Sequence, residues 1–375
     1  MRSLGLYIHI PWCIKKCPYC DFNSHALQSE APEQKYIESL LNDLQQDLQL
    51  LETPRTISSI FIGGGTPSLF SAASFDYLLS SIFNLIPLQK DLEITLEANP
   101  GTFESQKFSD YRAIGINRLS IGIQSFNNLQ LKKLGRVHSA EEAITAVKIA
   151  HKAGFENINL DLMFGLPEQS NQDMLNDVQT AINLNPNHIS FYQLTLEPNT
   201  YFHKFPPQLP KDDHIFAGQT QCQALLAESG FIQYEVSAYA KDNAHCQHNL
   251  NYWRFGDYLG IGAGAHGKLS LLSPANMVRS FKPKSPEQYL KDSSSSLTKI
   301  ALEELPLEFL MNQLRLKAGF NLEHYQISTG LDPSTLEPAL STCVNQGLLT
   351  NRNNHYSCTD KGWNFLDEIL EKFIT

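Results

Sequence analysis

The sequence predicts an α/β fold in which a partial, open barrel of six βα units precedes a smaller, mostly helical C-terminal domain. In the first half of the 375 residues, short apolar runs alternate with segments whose apolar residues recur every three or four positions. This alternation is typical of βα units with a parallel sheet. Beyond Pro206 it stops, and a proline-rich linker begins. Six units are too few for a closed eight-fold barrel, so the sheet is expected to stay open.

Each predicted element has its own pattern in the chain. Short, largely apolar runs predict strands at Leu4–Ile10 and at residues 57–62, 92–96, 117–123, 157–162 and 188–194. Helical periodicity predicts helices at residues 37–51, 75–86, 140–153, 172–184 and 215–229. Residues 233–239 resemble one further strand, and residues 282–297 resemble a connector. Three domains are expected: the barrel at 1–205, a barrel extension at 206–300, and a winged-helix-like module at 301–375.

Composition narrows the classes of function. The chain has 29 basic and 39 acidic residues, a net charge of −10, which argues against a broad surface for nucleic acid or anionic lipid. No run approaches 18 apolar residues, so at most peripheral membrane contact is expected. Seven cysteines, an odd number, suit a reducing cytoplasm better than a disulfide framework.

Three of those cysteines form a motif. Cys13, Cys17 and Cys20 follow the first strand with the spacing Cys-x₃-Cys-x₂-Cys. Iron–sulfur clusters are normally held by four cysteines, so a triplet indicates a 4Fe–4S cluster with one iron left open. S-adenosylmethionine can chelate that iron through its amino and carboxylate groups. Zinc is the alternative, but zinc sites usually show a second cysteine or histidine pair, and the other cysteines are scattered.

Polar residues mark the ends of several predicted strands. Gly63-Gly-Gly-Thr-Pro67 follows the second strand and gives the backbone freedom to approach a ligand. Glu97, Gln124 and Asp161 end or lie on later strands, where burial is costly unless a partner is present. Arg136 follows Gln124 by twelve residues and is able to bind a carboxylate. Each alone suits a rim residue or a helix cap; together they indicate an adenosyl ligand.

These motifs resemble those of a known family. Besides the cysteine triplet, they are Tyr7-Ile-His-Ile-Pro11, the Gly63 motif, Ser120-Ile-Gly-Ile-Gln-Ser-Phe126 and Asp161-Leu-Met-Phe-Gly-Leu-Pro167. Together they are similar to the oxygen-independent coproporphyrinogen oxidase family of radical S-adenosylmethionine (SAM) proteins. The resemblance implies a radical SAM barrel in which Cys13, Cys17 and Cys20 bind the cluster. It also implies that Glu97 meets the ammonium of SAM, Arg136 its carboxylate, and Gln124 with Asp161 its ribose. The remaining residues implied to line the cofactor are Tyr7, Tyr19, Gly64, Gly65 and Thr66.

Two branches of this family differ just after the triplet. The coproporphyrinogen oxidases carry a further cysteine in a Cys-Gly-Cys run, whereas this chain reads Cys20-Asp-Phe-Asn-Ser24. This sequence is similar to that of the haem chaperone branch. The resemblance implies that the chain binds haem and transfers it to acceptors such as respiratory or haem-storage proteins. A homodimer is also expected. The alternatives are the oxidative decarboxylation of coproporphyrinogen III to protoporphyrinogen IX, and another radical SAM reaction.

A second motif concerns the haem. His248-Asn-Leu-Asn-Tyr252 resembles the His-Asn-x-x-Tyr haem motif of the chaperone branch. Neutral imidazole is a common haem ligand, so the resemblance implies that His248 binds haem. On residue types alone, a histidine that caps a turn beside core aromatics is the favoured interpretation, and the resemblance reverses it. His245, Cys246 and His266 are competing iron ligands.

Overall fold

The computed structural model describes residues 4–28, 30–101, 105–271 and 276–374. The strands are β1 Leu4–Ile10, β2 Trp12–Cys13, β3 His25–Ala26, β4 Ile57–Gly64, β5 Leu88–Ala98, β6 Arg118–Gln124, β7 Asn157–Phe164, β8 His188–Gln193, β9 Ile232–Glu235, β10 Ala238–Ala240, β11 Asp257–Ile261, β12 His266–Ser270, β13 Met277–Phe281, β14 Ser296–Lys299, β15 Phe320–Asn321, β16 Leu349–Arg352 and β17 His355–Cys358. The helices are α1 Glu33–Leu48, α2 Ala72–Leu85, α3 Phe108–Ala113, α4 Asn128–Lys133, α5 Ala140–Lys152, α6 Asn171–Asn183, α7 Tyr201–Lys204, α8 Asp212–Glu228, α9 Gln247–Trp253, α10 Pro286–Tyr289, α11 Leu305–Gln313, α12 Leu322–Thr329, α13 Ala339–Asn345, α14 Asp360–Asn364 and α15 Leu366–Glu371.

One twelve-stranded sheet forms the barrel wall, in the order β14-β13-β12-β11-β1-β4-β5-β6-β7-β8-β10-β9. The predicted partial barrel is confirmed, because β1, β4, β5, β6, β7 and β8 are its six expected strands and pair in parallel. Most of their apolar side chains are buried, as expected for parallel strands covered on both faces. The carboxyl ends of these strands therefore lie along one edge, where ligands bind in such folds.

The structure adds a strand that the sequence did not predict. β11 pairs in parallel with the free side of β1, and Leu4 lies opposite Asp257. Position 260 in β11 requires a glycine, because a Cβ there would come within 1.9 Å of the His266 carbonyl oxygen. Glycine in a strand often marks such a close backbone approach, and it also weakens the apolar pattern.

Two other expectations about local structure are corrected. The single strand expected at residues 233–239 is a hairpin, in which β9 and β10 pair antiparallel on either side of Val236 and Ser237. Val236 turns away to donate its N–H to the Arg315 carbonyl, 3.1 Å away. The expected connector at 282–297 contains the short helix α10 and runs into β14, which pairs with β13.

The C-terminal region has a hydrophobic core of its own, distinct from that of the barrel. Phe309 of α11 contacts Phe320 and Tyr325 edge-on, with ring centroids 5.4 and 5.1 Å away. Helices dominate here, and β15, β17 and β16 form a three-stranded sheet. The domain boundaries at 205 and 300 stay predictions. Among the described residues, no helix combines the length and apolar character that a bilayer-spanning segment needs.

Candidate cofactor site

The cysteine loop is held at the end of β1 by its own short ladder. β2 and β3 pair in parallel, with Trp12 opposite His25, so residues 14–24 form a closed loop. The Leu27 N–H donates to the Cys13 carbonyl at 2.9 Å. A second tie joins the ring of His9, on β1, to the Asn23 carbonyl, with 2.8 Å between Nε2 and the oxygen. The three sulfurs are therefore presented by a fixed loop.

The glycine motif packs directly against this loop. Gly65 donates its N–H to the Ile10 carbonyl at 2.7 Å, and a Cβ on Gly65 would lie 2.5 Å from the Trp12 carbonyl oxygen. Gly64 has a φ of +116°, which disfavours any side chain, and a Cβ there would lie 2.6 Å from the His9 ring. The two glycines thus permit a backbone contact that larger residues would block.

A cavity of 340 Å³ lies between the cysteine loop and the strand ends. Most of the predicted site residues line it: Cys13, Cys17, Tyr19, Cys20, Gly64, Gly65, Thr66, Glu97, Gln124, Arg136 and Asp161. The described residues contain no group of three His, Cys, Asp or Glu side chains arranged to hold a metal ion. Cys13, Cys17 and Cys20 line the same cavity, and three thiolates are the donor set of a 4Fe–4S cluster with one open iron.

The carboxyl of Glu97 is partly buried at the end of β5 and lines the cavity. It accepts a hydrogen bond from the Gly64 N–H at 3.0 Å. Burial, and then the nearby charge of Asp161, raise the pKa of Glu97 to about 8, while the bond from Gly64 acts in the opposite direction. A cation bound beside this carboxyl would lower that pKa again. The site therefore fits a ligand that carries an ammonium group.

Asp161 and Gln124 occupy neighbouring strands. Asp161 accepts hydrogen bonds from Ser120 Oγ at 3.0 Å and Asn159 Nδ2 at 2.8 Å, and burial raises the pKa of its carboxyl. Gln124 ends β6 with a φ of +67°, and its Oε1 accepts a hydrogen bond from the Tyr192 hydroxyl at 2.8 Å. Left-handed backbone at a non-glycine residue is strained and persists where the surroundings fix it.

Arg136 links the strand ends to the cysteine loop. Its Nη2 donates to Asn99 Oδ1 at 2.8 Å and to the Gly122 carbonyl at 2.7 Å, while Nη1 lies 3.8 Å from Cys17 Sγ. Its Nε is buried without a hydrogen-bond partner among the described residues. A guanidinium in this position places positive charge beside the sulfur and leaves a donor for an anionic ligand.

Several lining residues were not predicted. Asn99 links Thr66 to Arg136: its Nδ2 donates to Thr66 Oγ1 at 3.0 Å, and its Oδ1 accepts from Arg136. Its position at a strand end, two residues after Glu97, could have predicted it as a site residue. Asn249, from the motif assigned to haem, and Trp253, which directly follows that motif, line the same cavity. Arg315 reaches the cavity from beyond α11, and its guanidinium carbon lies 4.3 Å from the Trp253 ring centroid. No local pattern marked Arg315.

Tyr7 and His248 do not line this cavity. His248 is 1% exposed, and both ring nitrogens are engaged: Nδ1 with Ser59 Oγ at 3.0 Å and Nε2 with the Tyr252 hydroxyl at 2.8 Å. Burial lowers the pKa of His248 to about 3, so its imidazole is neutral. Coordination of iron by His248 would require one of these bonds to break. Tyr7 lines a second cavity, of 690 Å³, on the other side of the cysteine loop.

Comparisons with known proteins agree with this architecture. Residues 7–181 match the radical SAM superfamily, and residues 300–365 match the HemN C-terminal domain. In structure, the chain is similar to coproporphyrinogen III oxidase (HemN) from Escherichia coli, with a TM-score of 0.84, 21% identity, and coverage of 100% of this chain and 90% of that one. At that identity, the likeness concerns the fold alone.

Two curated relatives match over the full length. The haem chaperone HemW of Haemophilus influenzae is 49% identical, and HemW of Escherichia coli is 47% identical. Each alignment covers 100% of this chain and 99% of the relative. With this identity across the whole chain, the protein belongs to the HemW family of radical SAM proteins.

Proposed function

We propose that this protein is a cytoplasmic haem chaperone, which binds haem and passes it to acceptor proteins such as respiratory or haem-storage proteins. The observation that carries the proposal is the 49% identity to a haem chaperone over the full chain. The protein would carry a 4Fe–4S cluster and SAM as resident cofactors. The expected homodimer stays a prediction.

The cavity beside the cysteine loop supports the cofactor part of the proposal. Cys13, Cys17 and Cys20 would hold the cluster, which supplies one-electron chemistry at the sulfonium of SAM when both are bound. Burial raises the pKa of the Cys13 and Cys20 thiols, so these thiols are protonated without metal and would release their protons when iron binds. Arg136 would stabilise the resulting charge on Cys17.

The polar strand ends would orient SAM by charge and hydrogen bonding. Glu97 would bind its ammonium, and the Arg136 guanidinium its carboxylate. Gln124 and Asp161 would bind the ribose hydroxyls, and the Tyr19 ring would form a wall. Tyr7, which the family resemblance also implied for SAM, lines the other cavity, and we do not assign it to SAM.

The rival function is the decarboxylation of coproporphyrinogen III. The chain lacks the further cysteine of that branch, because Asp21 and Phe22 follow Cys20. Its 21% identity to the oxidase supports a common fold and no more. Haem transfer is therefore the better supported function.

The test is an anaerobic reconstitution with iron and sulfide, followed by haem titration with and without SAM. We expect one haem per chain and its transfer to a haem-free acceptor on mixing. The same preparation is incubated with coproporphyrinogen III, reductant and SAM. Formation of protoporphyrinogen IX without haem uptake would establish the oxidase instead.

A further inference from the structure

The 690 Å³ cavity next to the cysteine loop has the size and walls of a binding site. Its volume lies within the range of about 300–1,000 Å³ that is typical of cofactor and ligand cavities. Three tyrosine rings from different elements line it: Tyr7 of β1, Tyr252 of α9 and Tyr258 of β11. The rings of Tyr252 and Tyr258 meet edge-to-face, with centroids 4.5 Å apart. Aromatic walls of this kind suit a flat, largely apolar ring system.

Charged side chains line the same cavity and favour an anionic ligand. Lys16 and Lys284 contribute two cations, and Asp21 contributes one carboxylate. Lys16 Nζ donates to the Phe22 carbonyl at 3.1 Å, which keeps its ammonium close to the cavity wall. Haem is a flat macrocycle with two carboxylate side chains, so its body matches the tyrosines and its propionates match the two lysines.

Two histidines, His9 and His266, line this cavity, and they differ in whether their ring nitrogens form hydrogen bonds. His9 is engaged at both, with Nδ1 3.0 Å from the Tyr7 hydroxyl and Nε2 2.8 Å from the Asn23 carbonyl oxygen. His266 is exposed, and its ring nitrogens form no hydrogen bond within the described residues. His266 is therefore the histidine ready to accept a metal.

The other candidate ligands are held elsewhere. Cys246 is fully buried and its sulfur contacts Glu93 Oε1 at 3.7 Å. His245 stacks on Tyr234, with centroids 4.1 Å apart. His248 is engaged at both nitrogens, but its bond from Nε2 to the Tyr252 hydroxyl fixes a ring of the cavity wall. In this arrangement His248 does not bind the iron but holds Tyr252 in the cavity wall.

The backbone that carries His266 is fixed on both sides. The Gly262 N–H donates to Asp43 Oδ2 at 3.1 Å, and the Lys282 N–H donates to the Ala265 carbonyl at 3.0 Å. His266 then begins β12, opposite Phe281 of β13, and the two rings lie 6.3 Å apart. An iron ligand at this position is presented by a rigid turn, which limits the entropy lost on binding.

We infer that haem binds in this second cavity, with His266 as an iron ligand, Lys16 and Lys284 on the propionates, and His248 as a positioning residue behind Tyr252. The inference rests on the proposed haem binding and names its site. Cys20 and Phe22 line both cavities, so haem would lie across the cysteine loop from SAM.

The test compares His266→Ala, His248→Ala and Lys284→Glu with the wild type by haem titration and by absorption and electron paramagnetic resonance spectra. His214→Ala, at an exposed position on α8, is the matched control. We expect His266→Ala to lose roughly tenfold or more in affinity and to change its axial-ligand spectrum, with added imidazole restoring the spectrum. His248→Ala keeps the wild-type spectrum with weaker binding, and Lys284→Glu weakens binding without a spectral change.

Each outcome assigns or removes the site. Unchanged affinity and spectrum in His266→Ala, with haem still bound by the wild type, would overturn the site and leave the proposed function intact. A changed axial spectrum in His248→Ala alone would move the ligand to His248. If the wild type takes up no haem at all, the proposed function itself fails, and the site inference with it. Lys284→Glu keeps the site testable if His266→Ala does not fold.

Discussion

Glu97 accepts a hydrogen bond from the backbone N–H of Gly64, 3.0 Å away, and so joins the end of β5 to the glycine motif after β4. This contact places a partly buried carboxyl against the cofactor cavity, together with the carboxyl of Asp161. Two neighbouring carboxyls that are shielded from water disfavour each other's charge. A bound ammonium group would relieve that repulsion, which makes ligand binding dependent on pH.

SAM affinity is expected to rise with pH and to depend on Glu97. Since the pKa of Glu97 is raised to about 8, the carboxyl is mostly protonated at pH 6.5 and must lose its proton to pair with an ammonium. Affinity therefore increases between pH 6.5 and pH 8.5. Glu97→Gln removes this dependence and weakens binding at pH 8.5 by about 1.5–3 kcal/mol, the value of a charged hydrogen bond.

Calorimetric titration of SAM in buffers of different ionisation enthalpy measures this proton release directly. Glu38→Gln, at an exposed position of α1, is the control and should behave as the wild type. A pH profile that is the same in Glu97→Gln and the wild type would show that another group, with Asp161 the first candidate, carries the dependence.

The backbone of Gln124 predicts a difference between two substitutions. Because φ is +67°, alanine at this position keeps the left-handed strain whereas glycine relieves it. Both variants lose the hydrogen bond from Tyr192, so their comparison isolates the backbone. We expect Gln124→Gly to be more stable than Gln124→Ala by about 1 kcal/mol, as measured by chemical denaturation, with SAM binding weakened in both.

Gln179 is solvent-exposed in the middle of α6, and the same two substitutions there serve as a control for which the opposite order of stability is expected. There, Gln179→Gly should be less stable than Gln179→Ala by about 1 kcal/mol, because glycine is a poor helix former. The same order of stability at both positions would contradict the strain assigned to Gln124.

Gly65→Ala should reduce cluster loading. The added methyl carbon would lie 2.5 Å from the Trp12 carbonyl oxygen, next to Cys13, so the cysteine loop has to move. Overpacking of this kind costs about 1–3 kcal/mol. We expect a lower iron and sulfide content after reconstitution, with a weaker visible absorbance of the cluster.

The control for Gly65→Ala is Gly154→Ala. Its φ of +84° strains the backbone, but a Cβ there has nothing within 4 Å and lies far from the loop in sequence. Gly154→Ala should lose stability and retain full cluster loading. If both variants lost iron equally, general destabilisation rather than the contact with Trp12 would be the cause.

The sequence predicted those parts of the fold that depend on local patterns. β1 and β4 to β8 are rich in apolar residues because much of both faces is buried, and such runs are visible in one sequence. β11 was missed because it begins at Asp257, a residue that is 1% exposed and paired with Arg55 at 3.3 Å. A buried carboxylate is tolerated only with such a partner, and this partner lies some 200 residues earlier in the chain.

The residues of the candidate site likewise fall into those that local patterns predicted and those that they did not. Glu97, Gln124 and Asp161 were predictable because parallel strands bring their carboxyl ends to one edge. Arg315 was not, since it reaches the cavity through packing of the C-terminal module on the β9–β10 hairpin. Tyr7 and His248 were assigned to ligands by family resemblance, which gives no direction for a side chain. In the structure, Tyr7 lines the second cavity, and His248 contacts the hydroxyl of Tyr252, which lines it.

The last prediction concerns a buried charge cluster beneath the His266 turn. Lys282 Nζ contacts Asp43 and Asp47, the second at 2.9 Å, and Tyr289 donates to Asp43 Oδ2 at 2.6 Å. Lys282→Met leaves two buried carboxyls without a cation, which costs about 3–5 kcal/mol of unfolding free energy. Chemical denaturation measures this loss.

The loss in Lys282→Met should grow with pH. Burial raises the pKa of Asp43 to about 6, above its usual value of 3.8, while Lys282 holds it down. The folded protein therefore binds more protons than the unfolded chain between those values, and stability falls as pH rises through 6. Without Lys282 the pKa of Asp43 rises further, so the variant is closest to the wild type near pH 5 and furthest from it near pH 8. Lys284→Met, two residues away and exposed, should stay within about 0.5 kcal/mol of the wild type at both pH values; an equal loss in the two variants would remove the role of the buried cluster.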